Sequence, residues 1–155
     1  MKHTFTKLIV VILIFLEFTM YSPNHAEWAV QFFQQLKHTK GQFYGQPFAL
    51  LPWQESILRD VYGTLSERGV RQYKTIYVEI PKKNGKSELA AGAGLFHTFA
   101  DGERNGEVYG CATDRAQASI VFDVAVDMVD QIPSLKKRTH EALALVGLTH
   151  AEHKH

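Results

Sequence analysis

The feature that most constrains this chain is a junction. In residues 72–80 the stretch YKTIYVEI alternates apolar Ile76, Val78 and Ile80 with Thr75, Tyr77 and Glu79, and β-formers dominate it. That alternation predicts a strand. PKKNGKS follows without a spacer, and then SELAAGAGLFHTFA reads as a helix with Leu89, Ala93 and Phe96 on one side. Strand, glycine-containing loop and helix is the order a phosphate-binding loop needs. Backbone N–H groups converge at the helix start and the helix dipole favours negative charge there. Gly85 lets the backbone approach a phosphate closely, Lys86 has the reach for β- and γ-phosphates, and the Ser87 hydroxyl is suited to ligate Mg²⁺. Asn84 completes the loop. Ile80 stands where the general G-x-x-x-x-G-K-[ST] pattern has its first glycine, so pattern alone leaves open a GKS tripeptide in an ordinary surface loop.

Helical periodicity frames this junction. Residues 26–38 place Ala29, Phe32, Phe33 and Leu36 on one stripe, and a second helix is expected from Trp53, after Pro52, with Trp53, Ile57 and Val61 spaced by four and Gly63 ending it. Gly92 and Gly94 each weaken the helix after the loop by about 1 kcal/mol relative to alanine, which implies compensating close packing against a sheet. A second strand is expected over residues 107–113. Asp114 then caps a helix running to about Gln131, with Ile120, Val121, Val124, Ala125 and Met128 as its apolar face and Pro133 closing it. The fold class these elements predict is α/β: a three-layer, P-loop NTPase-like fold around a mainly parallel sheet, present only in its N-terminal part.

Length and composition set outer bounds. One domain fits 155 residues, and 45% hydrophobic with 21% charged residues excludes disorder throughout. A net charge of +1 gives no global attraction to nucleic acid or an anionic membrane, and the lone Cys111 cannot form an intrachain disulfide. Residues 1–22 raise a separate question. Lys2 and Lys7 precede an unbroken apolar run over residues 8–16, which is the shape of a signal or anchor, yet Glu17 interrupts it well short of the roughly 18–20 residues that span a bilayer.

Three stretches in order carry a family resemblance: HTKGQFYGQPFALLPWQESILRDVYGTL, RQYKTIYVEIPKKNGKSELAAG, and DGE followed by EVYGCATDRAQASIVFDVA. Together they resemble the large terminase subunit of tailed phages across residues 26–138, and members of that family typically lack the first loop glycine. The resemblance implies ATP and Mg²⁺ as ligands, and double-stranded DNA, a small terminase subunit and a portal as partners. It implies a cytoplasmic setting in the host. Trp53 and Gln54 resemble the family's adenine-contacting element, where an amide reads the adenine edge; on residue type alone they are core and solvated surface respectively. Lys82 or Lys83 matches a basic residue thought to act on the γ-phosphate in cis, and a solvated lysine pair is the alternative. Asp114, Arg115 and Gln117 fall where related motors couple nucleotide to DNA.

The family's hydrolytic strand motif ends in Asp-Glu, and that dipeptide occurs nowhere in these 155 residues. The closest imitation, SIVFD, falls in helical period and aligns Asp123 with Asp127 and Asp130 on one flank. The family's nuclease carboxylates are absent too, and residues 139–155 diverge; His150, His153 and His155 are read as a terminal histidine group, with a metal cluster as the alternative. The expectation is a truncated nucleotide-binding fragment unable to hydrolyse ATP or cleave DNA alone. Competing readings are a small membrane-anchored or exported protein with a relic loop, attached through residues 8–16, and a nucleic-acid module without nucleotide chemistry.

Overall fold

The computed structural model describes residues 19–103 and 106–145, ordered as strand β1 (Thr19–Tyr21), helix α1 (Pro23–Gln35), a 3-10 turn (Gly41–Phe43), helix α2 (Pro52–Gly63), strand β2 (Thr64–Ser66), and helices α3 (Lys86–Phe99), α4 (Arg115–Asp130) and α5 (Pro133–Leu145). The chain divides into two compact units, residues 19–30 with 52–78 and residues 31–51 with 79–145. The apolar run at 8–16 and the three terminal histidines lie outside the described residues. Among those described, no helix is long and apolar enough to cross a membrane.

In the first unit α1 and α2 both open on proline, whose missing N–H costs nothing in a first turn. The Ser22 carbonyl accepts the Ala26 N–H at 3.2 Å, and the Ser22 N–H donates to Gly63 at 2.7 Å. β1 pairs antiparallel with β2, Met20 opposite Leu65. α2 ends at Gly63 as expected, but Gly63 is not in the left-handed conformation of a capping glycine, and close packing is what requires glycine there. A Cβ there would lie 2.6 Å from the Tyr21 ring and 2.9 Å from the Ala26 methyl. The buried stripe of α2 is also one residue later than its spacing predicted: Gln54, Leu58 and Tyr62 are buried, while Trp53, Ile57 and Val61 are intermediate.

The second unit is built on helices. α3 packs on α4, and α4 on α5. Phe33 from the end of α1 sits under α3, where a Cβ on Gly92 would meet its Cε1 at 2.5 Å. Phe32 meets Phe96 edge-on at 5.5 Å, and Phe33 meets Phe48 at 6.3 Å. Gly92 therefore serves close packing as its sequence context implied, but against an aromatic ring of a helix and not against a sheet. Asp114 caps α4 as expected, its Oδ1 accepting the Gln117 N–H at 2.9 Å. Of the expected α4 face, Val124 and Met128 are buried, Val121 and Ala125 are intermediate and Ile120 is 40% exposed. Pro133 ends the α4 region and opens α5, extending helix to Leu145 through residues where sequence periodicity was weak.

The expected mainly parallel sheet is not formed by the described residues; their one sheet is the two-stranded antiparallel pair β1–β2. Residues 75–80 and 107–112 carry the alternation of strands but join no ladder. An interior strand of a parallel sheet is held by neighbours on both sides and cover on both faces. With no such neighbours, the alternating side chains face solvent: Ile76 is 50% exposed, Tyr77 84%, Val108 51% and Tyr109 76%.

Candidate functional site: the 80–87 loop

Residues 81–85 turn tightly between the strand-like stretch and α3. Lys83 has φ 68° and Gly85 φ 75°, two left-handed residues separated by Asn84. Glycine adopts that geometry freely, whereas a lysine is held in it at a cost of about 1–3 kcal/mol. Such backbone turns direct successive N–H groups into one concavity, which is an anion-accepting shape. Gly85 precedes the first residue of α3 and its carbonyl accepts the Leu89 N–H at 3.0 Å, so the turn stands at the positive end of that helix.

Two side chains close the turn on itself. Lys86 Nζ donates to the Ile80 carbonyl at 2.8 Å, and Asn84 Nδ2 donates to the Pro81 carbonyl at 3.3 Å. Lys82, Lys83, Asn84 and Lys86 are exposed, whereas Gly85 and Ser87 are intermediate. The arrangement presents three ammonium groups, a helix N-terminus and a serine hydroxyl within six consecutive residues, a chemistry suited to a polyphosphate with a divalent cation.

The first turn of α3 holds a cluster that sequence reasoning missed. Glu88 follows Ser87, and its Oε1 accepts both the Thr39 N–H (2.9 Å) and the Thr39 hydroxyl (3.2 Å), while its Oε2 accepts from His38 Nδ1 at 3.0 Å. The His38 and Glu88 side chains are 19% and 16% exposed, and Thr39 is buried. An acidic residue in a first helical turn was a visible signal. Its partners lie 49 and 50 positions earlier, beyond any local pattern.

Trp53 and Gln54 belong to the other unit, in the first turn of α2. Trp53 is intermediate in exposure and Gln54 is 2% exposed, so the reading of Gln54 as solvated surface does not hold. No buried side-chain polar atom among the described residues lacks a partner, so its amide is held in a defined orientation. Next to it, Glu55 binds Arg59 at 2.7 Å and Glu27 reaches the same guanidinium at 3.0 Å. Those two carboxylates, Glu55 first, raise the Arg59 pKa above its ordinary value.

Asp123, Asp127 and Asp130 lie along α4, all exposed, with Asp130 on Lys136 at 3.0 Å. Arg115 and Gln117 occupy its exposed first turn, where Gln117 contributes its backbone to the Asp114 cap.

A family profile described as "Terminase large subunit, ATPase domain" matches residues 52–146. The "Terminase, large subunit" of Enterobacteria phage HK97 is 33% identical over 113 residues, covering 70% of this chain and 21% of that protein. In three dimensions the chain resembles the crystal structure of the HK97 bacteriophage large terminase, with a TM-score of 0.60 at 30% identity, over 72% of this chain and 22% of the other. The chain thus spans about a fifth of the length of the relatives it matches.

Proposed function

Because the chain belongs to the family of terminase large-subunit ATPase domains, we propose that it is a nucleotide-binding part of a phage DNA-packaging motor, binding ATP with Mg²⁺ at Asn84, Gly85, Lys86 and Ser87. The observation that carries this reading is the turn in which Lys83 and Gly85 are left-handed at the N-terminus of α3, inside the matched residues. Backbone N–H groups and the helix dipole take the charge of the phosphates, Lys86 leaves the Ile80 carbonyl to bind β- and γ-oxygens, and Ser87 Oγ ligates the cation. Lys82 and Lys83 are the two candidates for the cis cation acting on the γ-phosphate. Trp53 and Gln54 are the adenine-contacting pair, the buried amide supplying a donor and an acceptor.

Residues 26–138 form the ATPase-domain part in this reading, within the three-layer, mainly parallel fold of a phosphate-loop NTPase. Strand-like residues 75–80 and 107–112 are its interior strands awaiting neighbours. Double-stranded DNA, a small terminase subunit and a portal are the partners, and the host cytoplasm is the compartment. These 155 residues bind nucleotide without turning it over, because they supply no Asp-Glu pair to hold Mg²⁺ and polarise water. Calorimetric titration of the full chain with Mg-ATP tests the reading: binding that vanishes in Lys86→Ala supports it, and equal affinity in the two proteins removes the loop from the site.

A further inference from the structure

The Glu88 cluster lies one residue beyond the loop, and its geometry has a use that follows from charge. A carboxylate in the first turn of α3 competes with any anion for the same positive helix end. Left unpaired, Glu88 would repel phosphate and would be free to choose its rotamer. It is neither. Three donors from two adjacent residues take both oxygens, which fixes the direction of the carboxylate and spreads its charge onto Thr39 and His38.

The segment supplying those donors is itself closed. Lys37 bridges Pro47, His38 N–H donates to the Gln46 carbonyl at 2.9 Å, and the His38 carbonyl accepts from Gly45 N–H at 2.9 Å and from the Gln131 side chain at 3.4 Å. The His38 ring lies 4.8 Å from Phe48 and 5.7 Å from Phe43, centroid to centroid. Glu88 is thereby tied to a strap whose own backbone and ring packing are determined.

We propose that Glu88 is a positioning residue for the nucleotide loop: the anchor to His38 and Thr39 sets the first turn of α3 and keeps the Glu88 charge turned from the anion that loop receives. This rests on the reading of residues 84–87 as the ATP site. Ser87 and Lys86 are its immediate chain neighbours, so a shift of that turn misplaces the hydroxyl and the ammonium together. Groups that orient a binding residue from one shell out are worth on the order of tenfold to a hundredfold in affinity or activity.

The test is calorimetry with Mg-ATP on the full chain, beside thermal unfolding of the same samples. Glu88→Ala should weaken binding by about tenfold or more, and Glu88→Gln should recover most of that loss, because its amide carbonyl still accepts both Thr39 donors. Thr39→Val, which deletes the hydroxyl alone, should fall between. A cluster that serves stability alone would lower the unfolding temperature of Glu88→Ala and leave the affinity of the folded protein unchanged, which overturns the proposal. If Glu88→Ala does not fold, Thr39→Val decides: wild-type affinity there overturns the anchor, and weakened affinity supports it. Unchanged binding in Lys86→Ala is a different failure, since it removes the loop as the site and the anchor's role with it.

Discussion

Lys86 Nζ donates a 2.8 Å hydrogen bond to the carbonyl of Ile80, the residue six positions earlier that stands where the general phosphate-loop pattern has a glycine. Only the Ile80 backbone is used, which is why a bulky side chain is compatible with the turn. In the proposed nucleotide site the same bond sets a competition: the ammonium would exchange a neutral carbonyl for phosphate oxygens, and charge-assisted pairing favours the exchange. Lys86→Ala should cost about 2 kcal/mol or more of Mg-ATP binding, which is over about thirtyfold in Kd. Titration calorimetry reads this directly, and a loss under threefold would speak against Lys86 as a phosphate ligand.

Gly92→Ala gives a prediction of sign. In an isolated helix, alanine is better than glycine by about 1 kcal/mol. Here the new Cβ meets Phe33 Cε1 at 2.5 Å, and overpacking costs about 1–3 kcal/mol. The variant should be less stable than wild type in denaturant unfolding, and Phe33→Leu in the same chain should recover part of the loss. A Gly92→Ala protein more stable than wild type would show that the contact yields readily.

The chain should release phosphate from ATP no faster than its Lys86→Ala variant. Phosphoryl transfer depends on positioned charge, and loss of one stabilising group costs on the order of 10³-fold or more in related reactions. Asp123 sits exposed on α4 beside Asp127 and Asp130, on a helix and not at the end of a strand. Turnover above the Lys86→Ala background would identify a carboxylate acting in that role, and Asp123→Asn would be the first variant to examine.

Tyr109 donates its hydroxyl to Glu107 Oε2 at 2.8 Å, and this bond, with a lesser contribution from desolvation, raises the phenol pKa above its ordinary value. The hydrogen bond belongs to the protonated phenol, so its small contribution is complete below about pH 10 and lost as pH rises through the raised value. Subtracting the tyrosinate titration of Tyr109→Phe from that of wild type should give a midpoint above that of free tyrosine. Glu107→Gln should move that midpoint down, and no movement would assign the shift to another cause.

How much of this was legible in sequence follows from range. The Asp114 cap was readable because its acceptor is three residues away, and α2 could be placed because Pro52 and Gly63 mark its ends. The turn before α3 was readable because PKKNG is contiguous between a strand-like and a helical pattern. What escaped depended on distant partners. The stripe of α2 falls one residue later because Leu58 and Tyr62, not Ile57 and Val61, meet the interior, and spacing by four fits either set. The two strands escaped for a related reason: alternation declares which residues suit a strand, whereas a strand exists only when a neighbour completes its ladder. The Glu88 anchor is the extreme case, since nothing near residue 88 names His38 or Thr39.

Residues 107–112 have a consequence for the lifetime of the chain. They lie within the connection between α3 and α4, belong to no ladder, and are exposed throughout. A protease cleft takes its substrate as an added extended strand, reading main-chain hydrogen bonds and alternate side-chain pockets. This segment meets that requirement without prior unfolding, so its cleavage does not wait on the global opening that protects helical cores. Limited digestion should therefore cut between α3 and α4, and likewise at the exposed, unpaired residues 73–77, at rates insensitive to the stability of the helical core.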